Sequence, residues 1–132
     1  MIVLDTHVLI WWMSGGSKLS PKAKRAITKH QALDRSILIS SISAWEIGML
    51  VSRERLTLNM DVDSWLAEVD KIPAVEFVPV DNSVAVKSTC LPGEFHKDPA
   101  DRMIVALARQ LSFPLITADE KILSYKHVKT IW

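Results

Sequence analysis

Five acids in this chain are placed where a carboxylate could do chemistry: Asp5, Glu46, Asp98, Asp101 and Asp119. Asp5 follows the apolar run Ile2-Val3-Leu4, Asp119 follows Leu115-Ile116-Thr117, and Glu46 comes soon after Ile37-Leu38-Ile39. Asp98 and Asp101 stand on either side of Pro99 at the mouth of an apolar helix. Each has an ordinary structural explanation. An Asp at a helix N-cap or in the first turn stabilises by about 0.5–2 kcal/mol, through orphan N–H groups and the helix dipole. Ser43 and Glu46 have the S-x-x-E spacing of a capping box. Capping does not explain why one address, a strand end or the helix start behind it, recurs from residue 5 to residue 119.

Brought together, such acids repel, and at neutral pH they must bind protons or recruit a cation. Mg²⁺ and Mn²⁺ favour oxygen ligands, and Mg²⁺ keeps several waters while taking one or two carboxylates and phosphate oxygens from a substrate. An ion so held can activate a water for in-line attack on a phosphodiester. The chemistry predicted is therefore metal-dependent phosphodiester hydrolysis. Thr6, Ser43 and Thr117 place hydroxyls beside three of the acids. They suit either a carboxylate or attacking water, or the satisfaction of nearby backbone groups.

The elements that must position these residues follow from periodicity and punctuation. Residues 2–4, 37–39, 75–80 and 115–117 read as strands, and 128–132 as a last, edge strand. Between them lie helical stretches: His7 to Met13, closed by Gly15-Gly16; a helix begun by Ser20-Pro21; one within SSISAWEIGMLVSRERL; and Asp61 to Asp70. Asp81 to Leu91 follows, capped by Asp81 or Asn82, and Glu120 to Leu123 makes one turn. Between those two, Asp98 caps and Pro99 opens a helix whose Ile104, Val105, Leu107, Ala108 and Leu111 form a broad apolar face. Alternation of strands and helices predicts a single α/β domain over residues 1–132 with a mainly parallel sheet, and such sheets bind ligands beyond the C-terminal strand ends.

Composition bounds the alternatives. With 132 residues, 48% hydrophobic and 23% charged, the chain can bury one core and has no disordered tract. No apolar run reaches the roughly 20 residues of a membrane span, and MIVLDTHVLIWWM lacks the basic start of a signal peptide. A lone Cys90 forms no internal disulfide, which fits the cytoplasm. Sixteen Lys and Arg face fifteen acids; without the five site acids the surface carries about +6, enough to steer a polyanion. Lys22, Lys24, Arg25 and Lys29 read as a solvated helix face. His7, His30, His96 and His127 have no metal-ligand spacing and read as surface or packing residues, with His96 nearest the acids. No glycine-rich phosphate loop, G-x-S-x-G elbow or H-E-x-x-H is present. Asp5-Thr6-His7 lacks the D-x-D of an aspartate phosphatase and the paired acids of a phosphate receiver.

Four segments in order, IVLDTHVLIWW, SISAWEIGML, HKDPADRMIVALA and LITADEKI, make the chain resemble the PIN-domain nucleases, and within them the VapC toxins of toxin–antitoxin pairs. The resemblance implies an α/β/α fold with a central parallel sheet, a Mg²⁺ or Mn²⁺ site, and single-stranded RNA as substrate. It further implies a homodimer and an antitoxin partner that holds the activity off. The family's acidic positions fall on Asp5, Glu46, Asp101 and Asp119, with Asp98 either supporting them or serving only as the helix cap. Other readings are an RNA-processing or structure-specific DNA nuclease, and a catalytically silent binding module. Trp11, Trp12, Trp45 and Trp65 lie in helices and are expected mainly in the core.

Overall fold

The computed structural model describes residues 1–132. In chain order the elements are β1 (Ile2–Leu4), α1 (Thr6–Met13), α2 (Pro21–Ala32), β2 (Ile37–Ser40), α3 (Ser41–Ser52) and α4 (Val62–Asp70). There follow β3 (Val75–Val78), α5 (Asn82–Thr89), α6 (Pro99–Leu111), β4 (Leu115–Ile116), α7 (Glu120–Leu123) and β5 (Thr130–Ile131). All strands pair in parallel, in the order β3-β2-β1-β4-β5. Parallel pairing forces each connection to cross a sheet face, and the helices supply those crossovers.

The strands are short and apolar because both faces are covered. Ile2, Leu4, Ile37, Ile39 and Ile116 point into a core shared with Val8 and Leu9 of α1, Ala23 and Ile27 of α2, and Trp65 and Val69 of α4. The residues between them, Val3, Leu38 and Leu115, point the other way, onto Val84 of α5, Ile104–Ala108 of α6 and Ile122 of α7. This is a three-layer α/β/α sandwich. No helix is long and apolar enough to cross a membrane.

Strand order sets the location of the site. From β1 the chain moves outward through β2 to β3, then returns to the opposite side of β1 for β4 and β5. The reversal falls between β1 and β4, a topological switch point of the kind at which open α/β sheets hold their ligands. Asp5 leaves β1 there, and Thr117 leaves β4 beside it, with the Asp5 N–H donating to the Ile116 carbonyl at 3.0 Å.

Several expected boundaries shift. β3 stops at Val78, before Pro79, which has no N–H to continue a ladder. β4 ends at Ile116 and β5 covers only Thr130–Ile131, so Thr117 lies just past its strand. The capping box from Ser43 to Glu46 does not form. β2 runs through Ser40, whose side chain accepts from the Ile42 N–H and caps α3. Ser43 is therefore inside the helix and fully buried, and Glu46 lies in the second turn. Trp65 is buried and Trp11 and Trp12 pack on the core, but Trp45 is 58% exposed.

Candidate active site

Asp5 is the innermost acid, 1% exposed at the C-terminal end of the central strand. As the N-cap of α1 it accepts from the Thr6 N–H through Oδ1 at 2.8 Å. Its Oδ2 accepts from Thr117 Oγ1 at 2.6 Å, and Thr117 Oγ1 accepts in turn from the Asp119 N–H at 3.0 Å. One buried hydroxyl thus joins the two strand ends. Each carboxylate oxygen has two lone pairs, so both Asp5 oxygens keep one acceptor position.

A second hydroxyl chain reaches Glu46. Thr6 Oγ1 donates to Glu46 Oε1 and lies 2.8 Å from Ser43 Oγ. A hydroxyl has a single proton, so with Thr6 donating to Glu46, Ser43 must be the donor to Thr6. The order Ser43 to Thr6 to Glu46 aims the glutamate from α3 toward α1. Ser43 thus reaches Glu46 through Thr6 rather than by capping α3.

The third contribution comes from the start of α6. Asp98 Oδ1 caps the helix by accepting from the Asp101 N–H at 2.9 Å, leaving the Asp101 carboxyl free to face the other acids. Asp119 caps α7 through the Lys121 N–H at 2.8 Å. Burial pushes the Asp101 carboxyl up to about 8, with further increments from the charges of Asp5, Asp98, Asp119 and Glu46. Glu46 is also raised, first by burial, against the lowering effect of its Thr6 hydrogen bond, and then by Asp5 and Asp98. Asp101 therefore feels the charges of the other four acids, and Glu46 those of Asp5 and Asp98. Asp5, Asp98 and Asp119 cap helices as well, whereas Asp101 and Glu46 do not.

Two groups near the cluster carried no clear sequence signal. His96 Nε2 sits 3.0 Å from Asp101 Oδ2, out of hydrogen-bond alignment and otherwise buried without a partner, while His7 Nε2 sits 3.6 Å from Asp5 Oδ2. Reading these histidines as packing residues thus missed their approach to the acids. Arg102 holds the loop that delivers His96. Its Nε donates to the Ser88 carbonyl at 2.7 Å, and its guanidinium also reaches the Phe95 and His96 carbonyls at 3.0 and 3.2 Å. Nothing in the helical pattern singled this arginine out, though its position directly after Asp101 was visible.

The donor set suits a hard divalent cation, being composed of carboxylates and hydroxyls; Cys90 lies exposed at the end of α5. No group of three or more His, Cys, Asp or Glu side chains is arranged to hold a metal ion. An ion that keeps several waters needs only one or two direct carboxylate ligands.

A family model described as the PIN domain matches residues 2–128. The chain belongs to the PIN-domain family. Ribonuclease VapC22 of Mycobacterium tuberculosis is 35% identical over 99% of this chain and 98% of its own length. Among solved structures, VapBC2 from Rickettsia felis bound to a DNA fragment from their promoter superposes with a TM-score of 0.71 at 18% identity, covering 98% of this chain and 97% of the other. FitAcB from Neisseria gonorrhoeae gives 0.64 at 23%, covering 98% and 96%. These two likenesses speak to the PIN fold, whereas the VapC relationship is one of sequence over essentially the whole chain.

Proposed function

We propose that this PIN-domain protein is a Mg²⁺- or Mn²⁺-dependent endoribonuclease that hydrolyses phosphodiester bonds of single-stranded RNA and acts as the toxin of a toxin–antitoxin pair. The observation that carries the reading is the placement of Asp5, Glu46, Asp98, Asp101 and Asp119 about the β1/β4 switch point, where burial first and the other four charges next lift Asp101 to about 8. A cluster so costly to charge is retained where its charge is used. The 35% identity to Ribonuclease VapC22 supports the ribonuclease class.

Asp5, Glu46, Asp101 and Asp119 are assigned as the residues that hold the metal and act in catalysis. A divalent ion bound there supplies Lewis-acid stabilisation of the phosphate and an acidified water. Thr117 and Thr6 orient the carboxylates of Asp5 and Glu46, and Asp98 fixes the first turn from which Asp101 projects. Glu46, half-buried and raised in proton affinity, is suited to take a proton from the attacking water. Exposed Trp45, adjacent to Glu46 on α3, offers apolar surface of the sort that a partner protein covers, in keeping with an antitoxin and with pairing of two copies. The setting is cytoplasmic, where Cys90 stays a free thiol.

The test is cleavage of labelled single-stranded RNA by the full chain with Mg²⁺, Mn²⁺ or EDTA, beside folded Asp5→Asn and Asp101→Asn variants. Cutting that needs metal and is lost in both variants is the expected result. Equal cutting by all three proteins, or none by wild type with either metal, overturns the reading.

A further inference from the structure

Beside the acids lies a cleft of about 550 Å³, within the range of small-molecule sites, lined in part by Gly93, Phe95, His96, Lys121, Lys126 and His127. Its walls are the segment just before Asp98 and the segment just after Asp119. On one side His96 sits against Asp101; on the other, Lys121 supplies the N–H that caps Asp119. None of the five acids lines the cleft itself, which adjoins them through His96 and Lys121.

The lining has the chemistry of a nucleotide. Lys121 and Lys126 are exposed, and neither takes part in an ion pair. One carboxylate, Glu94, faces them. A run of rings, His96 to Phe95 to Tyr125 to His127, follows the cleft with centroids 4.5, 4.7 and 5.3 Å apart. Half-buried His127 and Phe95 leave part of their ring surface for a base to contact.

The site is built rather than incidental. The Tyr125 hydroxyl donates to the Pro92 carbonyl, and Arg109 donates to the carbonyl of His127, so both walls are tied to the body of the domain. Gly93 adopts a φ of +66°, and a Cβ there would stand 3.3 Å from His127 Nε2. Glycine lets the imidazole lie directly over the backbone.

We propose that this cleft binds one nucleotide of the RNA strand adjacent to the phosphate held at the acids, with Lys121 and Lys126 on its phosphate and the His127 and Phe95 rings against its base. The assignment rests on the ribonuclease reading and deepens it. It is tested by steady-state cleavage of a single-stranded oligonucleotide with Mg²⁺ across a series of salt concentrations. Wild type is compared with Lys121→Gln/Lys126→Gln and with Lys71→Gln, a control on α4 that pairs with Glu68. The double variant is expected to raise KM about tenfold with kcat within about twofold. The slope of log(kcat/KM) against log[salt] should become shallower by about 0.7, the value for one single-strand phosphate no longer neutralised. Lys71→Gln should match wild type. Unchanged KM and slope in the double variant, or an equal change in Lys71→Gln, overturns the cleft assignment while leaving the nuclease reading intact. Failure of wild type to cleave removes both.

Discussion

Thr117 Oγ1 and Asp5 Oδ2 meet at 2.6 Å across a sequence separation of 112 residues, both side chains buried. This bond holds the central carboxylate from the strand next door. Thr117→Val keeps the shape and removes the donor, leaving a buried carboxylate one bond short, at about 1.5–3 kcal/mol for a hydrogen bond to a charged group. Losing an outer partner of a metal-ligating residue typically costs about 10–100-fold in activity or metal affinity. Urea unfolding and RNA cleavage should both register the loss, and Thr117→Ser should recover most of it.

Asp101 carries a linked pH dependence. Burial and the neighbouring acids push its carboxyl from the ordinary 3.8 up to about 8, so between those values the folded chain binds more protons than the unfolded one. Stability must then fall as pH rises through that window. In EDTA, the thermal midpoint should be lower at pH 8 than at pH 5, and Asp101→Asn should flatten the difference. Mn²⁺ or Mg²⁺ should raise the pH 8 midpoint of wild type more than that of the variant.

Ser40 and Ser43 separate capping from site assembly. Ser40→Ala removes the α3 cap and should cost about 1 kcal/mol in denaturant unfolding. Ser43→Ala leaves the cap intact but removes the donor to the Thr6 oxygen that helps aim the Thr6 hydroxyl at Glu46. Cleavage should suffer more from Ser43→Ala than unfolding does.

Arg102 is expected to resist conservative replacement. Its fork serves three carbonyls from Ser88, Phe95 and His96, and a lysine can serve only part of that array. Arg102→Lys should destabilise by roughly 1–3 kcal/mol, since buried carbonyls lose their donor. If its unfolding midpoint equals that of wild type, the guanidinium does not anchor the loop.

The architecture was legible because Ile2-Val3-Leu4 and Ile37-Leu38-Ile39 are apolar at every position, which only a strand covered on both faces requires. Asp5, Asp98, Asp101 and Asp119 stood out because each follows such a run or stands at a helix start, whereas Glu46 lies in the second turn of α3. Local pattern failed where three serines competed. Ser40, Ser41 and Ser43 all offer a hydroxyl, and the S-x-x-E match favoured the wrong one because the β2–β3 ladder, which extends β2 to Ser40 opposite Val78, is a non-local fact. Asp34, Glu54 and Ser112 take positive φ just past α2, α3 and α6, where a glycine would have marked the stop. The approach of His96 to Asp101 depends on a loop held by Arg102, and no spacing rule encodes that.

Strand order also has a consequence for biosynthesis. The ribosome makes β1 first, yet β1 is the middle strand, and one of its two neighbours, β4, begins at Leu115. Until that stretch has emerged, Asp5 has neither the hydroxyl of Thr117 nor the company of Asp119. The nascent chain therefore carries its acids in pieces, and they first come together when the sheet closes around its oldest strand. A polypeptide released before residue 115 should be both unfolded and without cleaving activity, so the cell meets the activity all at once rather than by degrees.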